Sequence, residues 1–362
     1  MKTIGVDLHK DSLTVAVLDE TGQLERRERM ATKCRNQILE FFASYGPQCQ
    51  VAVESVGFYH WFWDLVQPRV GRMLLANATA VKALRPYRDA KTDPRDAAFL
   101  ARLLHEGRLP TAFAPPPHLR QLKTLVHLRC HVARSLSHAR RLLRWVSLQL
   151  NLPGPSTLTS DRAQKWILAN DPKLSPAQRT YTRKNLDQIL LFERQEIDLD
   201  RDLEAFFAAQ SDLGQRATLL QTIPGIGPLA SATILAETAG TDRFPDGGRI
   251  GSFAGLVPRV NKSADTVHHG SITKAGSPLL RWVLQQSAWV AYRCDPNARR
   301  IIGRIARRAG LNKAVTAYAR KLLTYARSVL ARNQPFAWPQ PLAAASQPKV
   351  AQEKGGAWCY AI

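Results

Sequence analysis

Four carboxylates in the first hundred residues have the spacing of a divalent-metal site. Asp7 and Glu54 each lie at the end of an apolar run, where a core strand is expected to stop. Asp93 and Asp96 are three residues apart, so they share one face of the helix that their segment begins. Mg²⁺ prefers such hard oxygen ligands, with Mn²⁺ as the second candidate, and ions of this kind assist phosphodiester chemistry. Taken singly, each acid is better explained as a turn former or a helix N-cap. Together they predict a catalytic metal site.

The segments around these acids predict a mixed α/β domain over residues 1–113. A β-meander is expected over residues 1–32, because three strand-like runs are separated by turn residues. The patterns that follow predict helices at 35–45, 58–66 and 96–105 and strands at 51–53 and 72–75. Three strands followed by alternating helices and strands is the order of an RNase H/RuvC-like fold. Such a fold places the strand ends that carry Asp7 and Glu54 side by side.

A helical arm is predicted for residues 114–215. Ala114–Pro117 is a stiff break, and apolar residues with three-four spacing then predict a helix over 118–150. A second long helix is expected at about 183–210, after a less regular stretch. Two long helices around a break predict an antiparallel coiled coil or a dimerisation element.

The chain is strongly basic, and its positive charge is clustered. It has 51 Lys+Arg against 29 Asp+Glu, a net charge of +22, which argues for a polyanionic partner. The first long helix carries seven Lys and Arg residues and no acid. Arg129 interrupts its apolar seam. Arg134 and Arg141 are expected to contact nucleic acid, although an ordinary solvated helix face is the alternative.

The compartment is predicted from what the sequence lacks. Five widely separated cysteines fit a reducing compartment and argue against a zinc site. There is no apolar run long enough to span a membrane, and the chain enters a strand pattern at once, so no membrane contact and no leader are expected. A cytoplasmic, nucleoid-associated bacterial protein is the expectation.

A third, mostly helical unit is predicted over residues 216–333, before a mobile tail at 334–362. Its first motif is Ile223–Pro228, which lies between two apolar helical stretches and looks like a helix-hairpin-helix. Gly225 and Gly227 permit a tight turn, and the amides that begin the next helix can bind a DNA phosphate without reading sequence. The alternative is a plain turn between two helices.

Several serines of this unit are candidate nucleophiles, and the residues alone do not choose among them. Ser263 is expected in a loop beside Lys262, and Lys274 and Arg281 could add the positive charge that stabilises an oxyanion. The rival serines are Ser252, Ser271 and Ser277. Residues 274–332 also hold 13 Lys and Arg against one acid, which again favours nucleic-acid binding.

Taken together, the motifs resemble the transposases of insertion-sequence family 110, whose relatives include Piv-type site-specific invertases. Gly5–Lys10, the strand end at Glu54 and Asp93–Asp96 resemble the DEDD, RuvC-like domain of that family. Residues 219–281 resemble its C-terminal transposase domain. The resemblance implies that Mg²⁺ binds the four acids Asp7, Glu54, Asp93 and Asp96.

The same resemblance implies that Ser263 is the nucleophile that joins DNA covalently. The usual family pattern at this position is Ser-Gly, whereas this chain has Ser263-Ala264. It also implies a bridge RNA that pairs with double-stranded target and donor DNA, and a homo-oligomer, either a dimer or a tetramer, in which the RuvC-like domain of one subunit meets the serine domain of another.

Three other functions stay open on the sequence. A Piv-type invertase would perform the same strand exchange without RNA. A RuvC-like, metal-dependent junction nuclease would use water as its nucleophile, and Ser263 would then be structural. A non-catalytic nucleic-acid-binding scaffold would need none of the acids. The chain has no Gly-x-x-x-x-Gly-Lys-Ser/Thr loop for ATP, which fits a reaction that conserves phosphodiester energy in a covalent link.

Overall fold

The computed structural model describes residues 1–84, 93–154, 159–241, 243–263 and 266–338. The chain forms two compact units, Met1–Pro115 and Pro116–Ile362. The architecture is mixed α/β, with a six-stranded sheet in the first unit and mostly helices in the second. None of the described helices is both long and apolar enough to cross a membrane.

The first unit is built on its sheet. The described strands are β1 (Lys2–Leu8), β2 (Ser12–Leu18), β3 (Leu24–Ala31), β4 (Cys49–Glu54), β5 (Arg72–Ala76) and β6 (Thr111–Ala112). They lie side by side in the order β3-β2-β1-β4-β5-β6. β1, β2 and β3 pair antiparallel, β4 pairs parallel with β1 and β5, and β6 returns antiparallel to β5. The edge strand β3 exposes mostly charged residues, which discourage pairing with another chain.

Helices cover both faces of the sheet. They are α1 (Arg35–Tyr45), α2 (His60–Val66), α3 (Ala78–Leu84) and α4 (Asp93–His105). On one face, Phe42 of α1 and Phe62 of α2 pack with Val53 in an aromatic-rich core. On the other face, Leu100 of α4 packs with Ala52, the neighbour of Val53 in β4. Consecutive residues of β4 therefore pack into cores on opposite faces of the sheet, because side chains alternate along a strand.

The predicted order of elements up to residue 105 is confirmed. Helix α4 begins at Asp93, three residues earlier than predicted, and Pro94 at its second position suits a helix start. The sequence patterns missed α3 and the two-residue strand β6, because both are too short to show a clear period.

The second unit is mostly helical. Its described helices are α5 (Pro117–Gln149), α6 (Ser160–Asn170), α7 (Pro176–Ala209), α8 (Ser211–Gln221), α9 (Pro228–Thr238), α10 (Gly247–Phe253), α11 (Pro278–Cys294), α12 (Pro296–Ala309) and α13 (Leu311–Arg332). Its strands, β7 (Pro258–Ser263) and β8 (Thr266–Ile272), form an antiparallel hairpin. Ser263, which was expected in a loop, lies in this hairpin, and the less regular stretch before the second long helix contains α6.

The long helices α5 and α7 pack antiparallel along one seam. Near one end Arg129 Nε donates to Asp200 at 2.8 Å, and further along Asn185 Nδ2 donates to the Ala139 carbonyl at 2.9 Å. α7 begins at Pro176, seven residues before the predicted start. The Ser175 hydroxyl accepts from the Gln178 amide and Gln178 returns a bond to the Ser175 amide, so a capping box fixes this earlier start.

The rest of the second unit surrounds a core formed by α8, α9, α11 and α13, with Tyr318 among its largest fully buried side chains. The first residues of the predicted tail pack against this core. The Phe336 amide donates to Thr222 Oγ1 at 2.8 Å, and Trp338 lies 6.0 Å from the Tyr325 ring. The remainder of the predicted tail, 339–362, lies outside the described residues.

Candidate active site

Asp7 and Glu54 lie at the carboxyl ends of two neighbouring parallel strands. β1 and β4 pair in register up to Val6 and Val53, so Asp7 and Glu54 are the next residues along the two strands. Side chains alternate along a strand, and residues in register project from the same face. Asp7 is 5% exposed, whereas Glu54 is half-buried. Two of the predicted acids therefore share a face and an end of the sheet.

Helix α4 lies close against this face because Gly5 has no side chain. A Cβ added at Gly5 would lie 2.0 Å from the Ala97 carbonyl oxygen and 2.5 Å from the Ala101 nitrogen, distances that real contacts do not reach. Asp96 precedes Ala97 and is only 7% exposed, on the side of α4 that faces the sheet. The tight contact between helix and strand thus fixes where Asp96 lies along β1.

The direction of α4 places Asp96 at the same end of the sheet as Asp7. His105, the last residue of α4, adjoins the turn between β2 and β3, since a Cβ added at Gly22 would lie 2.9 Å from His105 Nε2. That turn follows β2, which runs antiparallel to β1, so it lies at the amino end of β1. The amino end of α4 therefore lies at the carboxyl end of β1. Asp7, Glu54 and Asp96 therefore lie at the same end of the same sheet face.

Asp93, the fourth predicted acid, is the first residue of α4, and its side chain lies outside the described residues. Asp7 Oδ2 accepts a hydrogen bond from His9 Nε2 at 3.1 Å. Across the described side chains, no group of three or more His, Cys, Asp or Glu residues is arranged to hold a metal ion. The acids share a region without closing a ligand shell around one point.

The donor chemistry of this region fits a hard cation. Asp7 and Asp96 are two carboxylates of like charge buried on the same side of the sheet. A divalent cation is usually held by a few protein carboxylates together with water and phosphate oxygens. Carboxylate oxygens are also the ligands that Mg²⁺ prefers. His9 adds a positioning contact to Asp7.

Ser263 lies at the tip of the β7–β8 hairpin. It is the last residue of β7 and pairs with Thr266, the first residue of β8. Ala264 and Asp265, which connect the strands, lie outside the described residues, as does the Ser263 side chain. The structure thus places the Ser263 backbone at a hairpin tip and not in the irregular loop that the sequence suggested. Lys262 is the preceding residue of β7, and its side chain is likewise not described.

Among the rival serines, Ser277 has a structural task. Its hydroxyl accepts from the Leu280 amide at 3.1 Å and caps the amino end of α11. Ser252 lies in α10, and Ser271 is an exposed residue of β8. Position alone therefore weakens Ser277 as a nucleophile and leaves the other serines as comparators for Ser263.

The turn predicted to bind phosphate connects α8 and α9. Gly225 has a φ of +90°, and a Cβ there would lie 2.3 Å from the Ser287 carbonyl oxygen of α11, so glycine is required for packing. Gly227 caps α9 and has open space where a Cβ would be. A ligand can therefore approach the turn at Gly227, where the amides of α9 begin, whereas Gly225 is occupied by the protein itself.

The predicted cationic contacts fall into two groups. Arg281 donates to the Gly276 carbonyl at 2.9 Å and to the Ala254 carbonyl at 3.2 Å, so it holds the loop before α11 together. Arg134 lies over the Trp282 ring, with its guanidinium carbon 4.6 Å from the centroid. Lys274 and Arg141 are exposed. The geometry makes Arg281 structural and leaves Lys274, Arg134 and Arg141 accessible to a ligand.

Two known family profiles match the chain. The DEDD transposase profile of IS110 matches residues 4–148, and the profile described as the transposase IS116/IS110/IS902 family matches residues 217–302. The chain belongs to the IS110 family of transposases. The first match contains the acids Asp7, Glu54, Asp93 and Asp96, and the second contains Ser263. DEDD membership suggests use of a divalent metal.

Curated relatives agree with this assignment. The transposase for insertion sequence element IS1111A of Coxiella burnetii is 23% identical over 350 residues, which cover 93% of this chain and 91% of the relative. The putative transposase y4qE of Sinorhizobium fredii is 24% identical over 81% of this chain and 72% of its own length. The pilin gene-inverting protein of Moraxella bovis is 26% identical over 68% of each chain.

Proposed function

We propose that this IS110-family transposase is an RNA-guided DNA recombinase that works through a covalent phosphoserine intermediate. The observation that carries the proposal is the convergence of Asp7, Glu54 and Asp96 at one end of one sheet face, inside the stretch that matches the DEDD profile. The strand order of the first unit supports an RNase H/RuvC-like domain as the scaffold of these acids.

The acids are proposed to hold Mg²⁺, with Mn²⁺ as an alternative. Asp7, Glu54 and Asp96 supply oxygen donors, and Asp93 is the fourth candidate because it begins the same helix. Bound there, the metal supplies Lewis-acid stabilisation of charge on the reacting phosphate oxygens. The His9 imidazole holds Asp7 in place by donating to its carboxylate.

The strand-joining step is assigned to Ser263. Its Oγ forms a bond to the scissile phosphorus while the bond from phosphorus to one strand oxygen breaks. The serine proton passes to a base, and the departing oxygen takes up a proton to become a hydroxyl. One phosphodiester bond is exchanged for another, so no ATP is consumed. The hairpin tip that carries Ser263 suits a residue that must reach into a DNA backbone.

Nucleic-acid contacts are proposed at several places in the second unit. The turn at Gly225 and Gly227 supports a helix-hairpin-helix that binds a DNA phosphate through the amides of α9. The antiparallel α5 and α7 support a coiled-coil arm, with Arg134 and Arg141 as phosphate contacts along α5. Lys262 and Lys274 flank or follow the hairpin, whereas Arg281 acts by positioning the adjacent loop.

The proposed partners are a bridge RNA and further copies of this chain in a homo-oligomer. The net charge of +22 permits binding of a bridge RNA together with target and donor DNA. The similarity to pilin gene-inverting proteins favours a second candidate, a site-specific invertase that needs no RNA. Sequencing the RNA that copurifies with the tagged full-length chain separates the two. A discrete non-coding RNA supports guidance, and the absence of any discrete RNA supports the invertase.

The covalent mechanism is tested by trapping. Denaturing gel electrophoresis of reactions with labelled recombination-site DNA should show a protein–DNA adduct that is lost in Ser263→Ala. The matched control is Ser252→Ala, at an exposed position of α10, which should keep the adduct. Ser271→Ala tests the rival serine on the partner strand of the hairpin. Normal strand cleavage by Ser263→Ala would favour a metal-dependent nuclease with water as its nucleophile. Loss of the adduct in Ser271→Ala alone would move the nucleophile to that residue.

A further inference from the structure

A groove of about 750 Å³ runs between the base of the β7–β8 hairpin and the side of α13. Pro258 and Ile272, the first and last paired residues of the hairpin, line one wall. The other wall is α13, from Asn312 near its start to Tyr325. None of the residues assigned above to metal binding, strand joining or nucleic-acid contact lines this groove. The groove residues therefore have no function assigned above.

The α13 wall is cationic. Lys313, Arg320 and Lys321 line it, and Lys313, Arg320 and Thr324 follow the three-four spacing of one helix face. The described lining includes no acidic side chain. The one acid between residues 274 and 332, Asp295, accepts from the Ala298 amide at 2.7 Å and caps α12. Within the described part of the chain, the residues that line the groove therefore carry positive charge and no negative charge.

The groove also offers an aromatic surface. Tyr325 lines it, and Lys321 Nζ lies 5.6 Å from the centre of the Tyr325 ring. Phe336 packs on Tyr325 at 5.0 Å between ring centres, so the tyrosine is held from behind. Cations that follow a backbone, together with an aromatic ring on which a base can stack, are the features of single-stranded nucleic-acid sites.

The hairpin relates the groove to Ser263. Pro258 pairs with Ile272 at the groove, and Ser263 pairs with Thr266 at the tip, five residues further along β7. At about 3.4 Å per residue, the two pairs are about 17 Å apart. Phosphates of one DNA strand are spaced about 3.4 Å along the duplex axis, so the groove lies roughly five stacked nucleotides from the hairpin tip.

We propose that this groove binds the single DNA strand that continues from the phosphate attacked by Ser263. Lys313 and Arg320 contact its phosphates, and Tyr325 stacks on one of its bases. The assignment to DNA rests on the proposed function, because it takes Ser263 to act on DNA. The groove thus holds the strand in line with the hairpin tip and acts in positioning.

Binding is measured in the full-length Ser263→Ala chain, so the covalent step plays no part. The probe is a fluorescein-labelled single-stranded DNA of about 16 nucleotides, the upper site size of one binding domain. Lys313→Gln combined with Arg320→Gln should weaken binding about tenfold or more and lower the salt slope of log K by about 1.4, or about 0.7 for each lost phosphate contact. Tyr325→Leu should weaken binding about fivefold or more.

The matched control is Arg293→Gln combined with Arg332→Gln, which removes the same charge from exposed positions of α11 and α13 outside the groove. It should change affinity less than about threefold. An equal loss in this control, or no loss in the groove variants, would overturn the proposal. If the groove variants lost more affinity for RNA of the same sequence than for the DNA, the assignment to DNA would be overturned.

Two further measurements distinguish loss of groove binding from misfolding and from failure of the serine mechanism. Lys313→Gln alone removes one exposed side chain near the start of α13 and should give about half of the change in salt slope with an unchanged melting temperature. Normal binding by the groove variants, together with loss of the adduct in Ser263→Ala, would reject the groove and keep the serine mechanism. If the groove variants bound DNA more weakly but Ser263→Ala still formed the covalent adduct, the groove would be kept and the serine mechanism would be rejected.

Discussion

The two units bury charge in opposite ways. In the first unit, Asp7 and Asp96 have the same sign and are buried on one side of the sheet, 5% and 7% exposed, and Asp7 also accepts a hydrogen bond from the imidazole of His9. In the second unit, Arg129 is 8% exposed but meets charges of the opposite sign. Its guanidinium donates to both carboxylate oxygens of Asp200, at 2.8 and 3.1 Å, and to Glu196 at 2.6 Å.

The difference separates a structural charge from a functional one. Burial alone would lower the pKa of the Arg129 guanidinium, but its hydrogen bond to Asp200 and the charges of Glu196 and Asp200 raise the pKa overall. Arg129 is thus compensated within the protein. For Asp7 and Asp96 the proposed function supplies a different reason for burial, because acids that bind a cation are kept for the reaction that uses it. Substitutions in the two places should therefore change different properties.

The largest expected effect is on activity, from Asp7→Asn. The change keeps the size of the side chain and removes one of the like charges, so recombination should fall by about 10² or more, the size of losing one preorganised electrostatic group. The melting temperature in a chelator should change little, because an asparagine oxygen can still accept the hydrogen bond from His9. Added Mg²⁺ should stabilise the unmodified chain more than the variant, because a ligand stabilises the folded state that binds it.

The matched control for this prediction is Asp11→Asn, at an exposed turn residue near the same sheet edge. It should keep both activity and the Mg²⁺-dependent rise in melting temperature. Full recombination by Asp7→Asn would show that the buried Asp7 has no catalytic role, and it would favour a scaffold that binds nucleic acid without catalysis.

The placement of Asp7 and Glu54 at neighbouring strand ends was predictable from the sequence because it depends on periodicity. Apolar runs that end on Asp7 and Glu54 mark strand ends, and parallel neighbouring strands bring such ends together. The docking of α4 was not predictable, since it depends on the absence of a side chain at Gly5 and not on any pattern. The contact between His9 and Asp7 likewise depends on a local backbone turn.

A smaller effect, on both stability and activity, is expected for Gly5→Ala. The new Cβ would meet the backbone of Ala97 and Ala101, which cannot move without shifting α4. Overpacking of this kind costs about 1–3 kcal/mol, and moving Asp96 away from Asp7 should lower activity tenfold or more, since small misplacements are costly. Urea unfolding and a recombination assay measure the two effects.

Gly57→Ala is the control for Gly5→Ala, because the first unit has open space where its Cβ would be. It should leave stability within about 0.5 kcal/mol and activity unchanged. If Gly5→Ala were as harmless as Gly57→Ala, then the close approach of α4 would not be what positions Asp96.

The second unit shows where sequence patterns fail. The three-four spacing along α5 predicted a long helix and correctly singled out Arg129 as the interruption of its seam, but only the structure supplies its partners on α7, some 70 residues away. The hairpin that carries Ser263 was missed because its strands alternate polar and β-branched residues with little apolar content.

The smallest effect is expected at Arg129, and it should be on stability alone. Arg129→Ala should lower the free energy of unfolding by about 2 kcal/mol. This is less than the 3–5 kcal/mol typical of breaking a buried pair, because the side chains of Glu196 and Asp200 are 22% and 49% exposed and water can solvate them. Arg129→Met keeps the apolar stem in the seam and should cost about 1 kcal/mol or less. Urea unfolding gives both values, with the exposed Arg141→Ala as the control for loss of charge.

Neither Arg129 variant should change recombination under conditions where the protein is folded. If Arg129→Met kept its stability but lost activity, the pair that balances this charge would belong to the mechanism, and the division between structural and functional burial would fail.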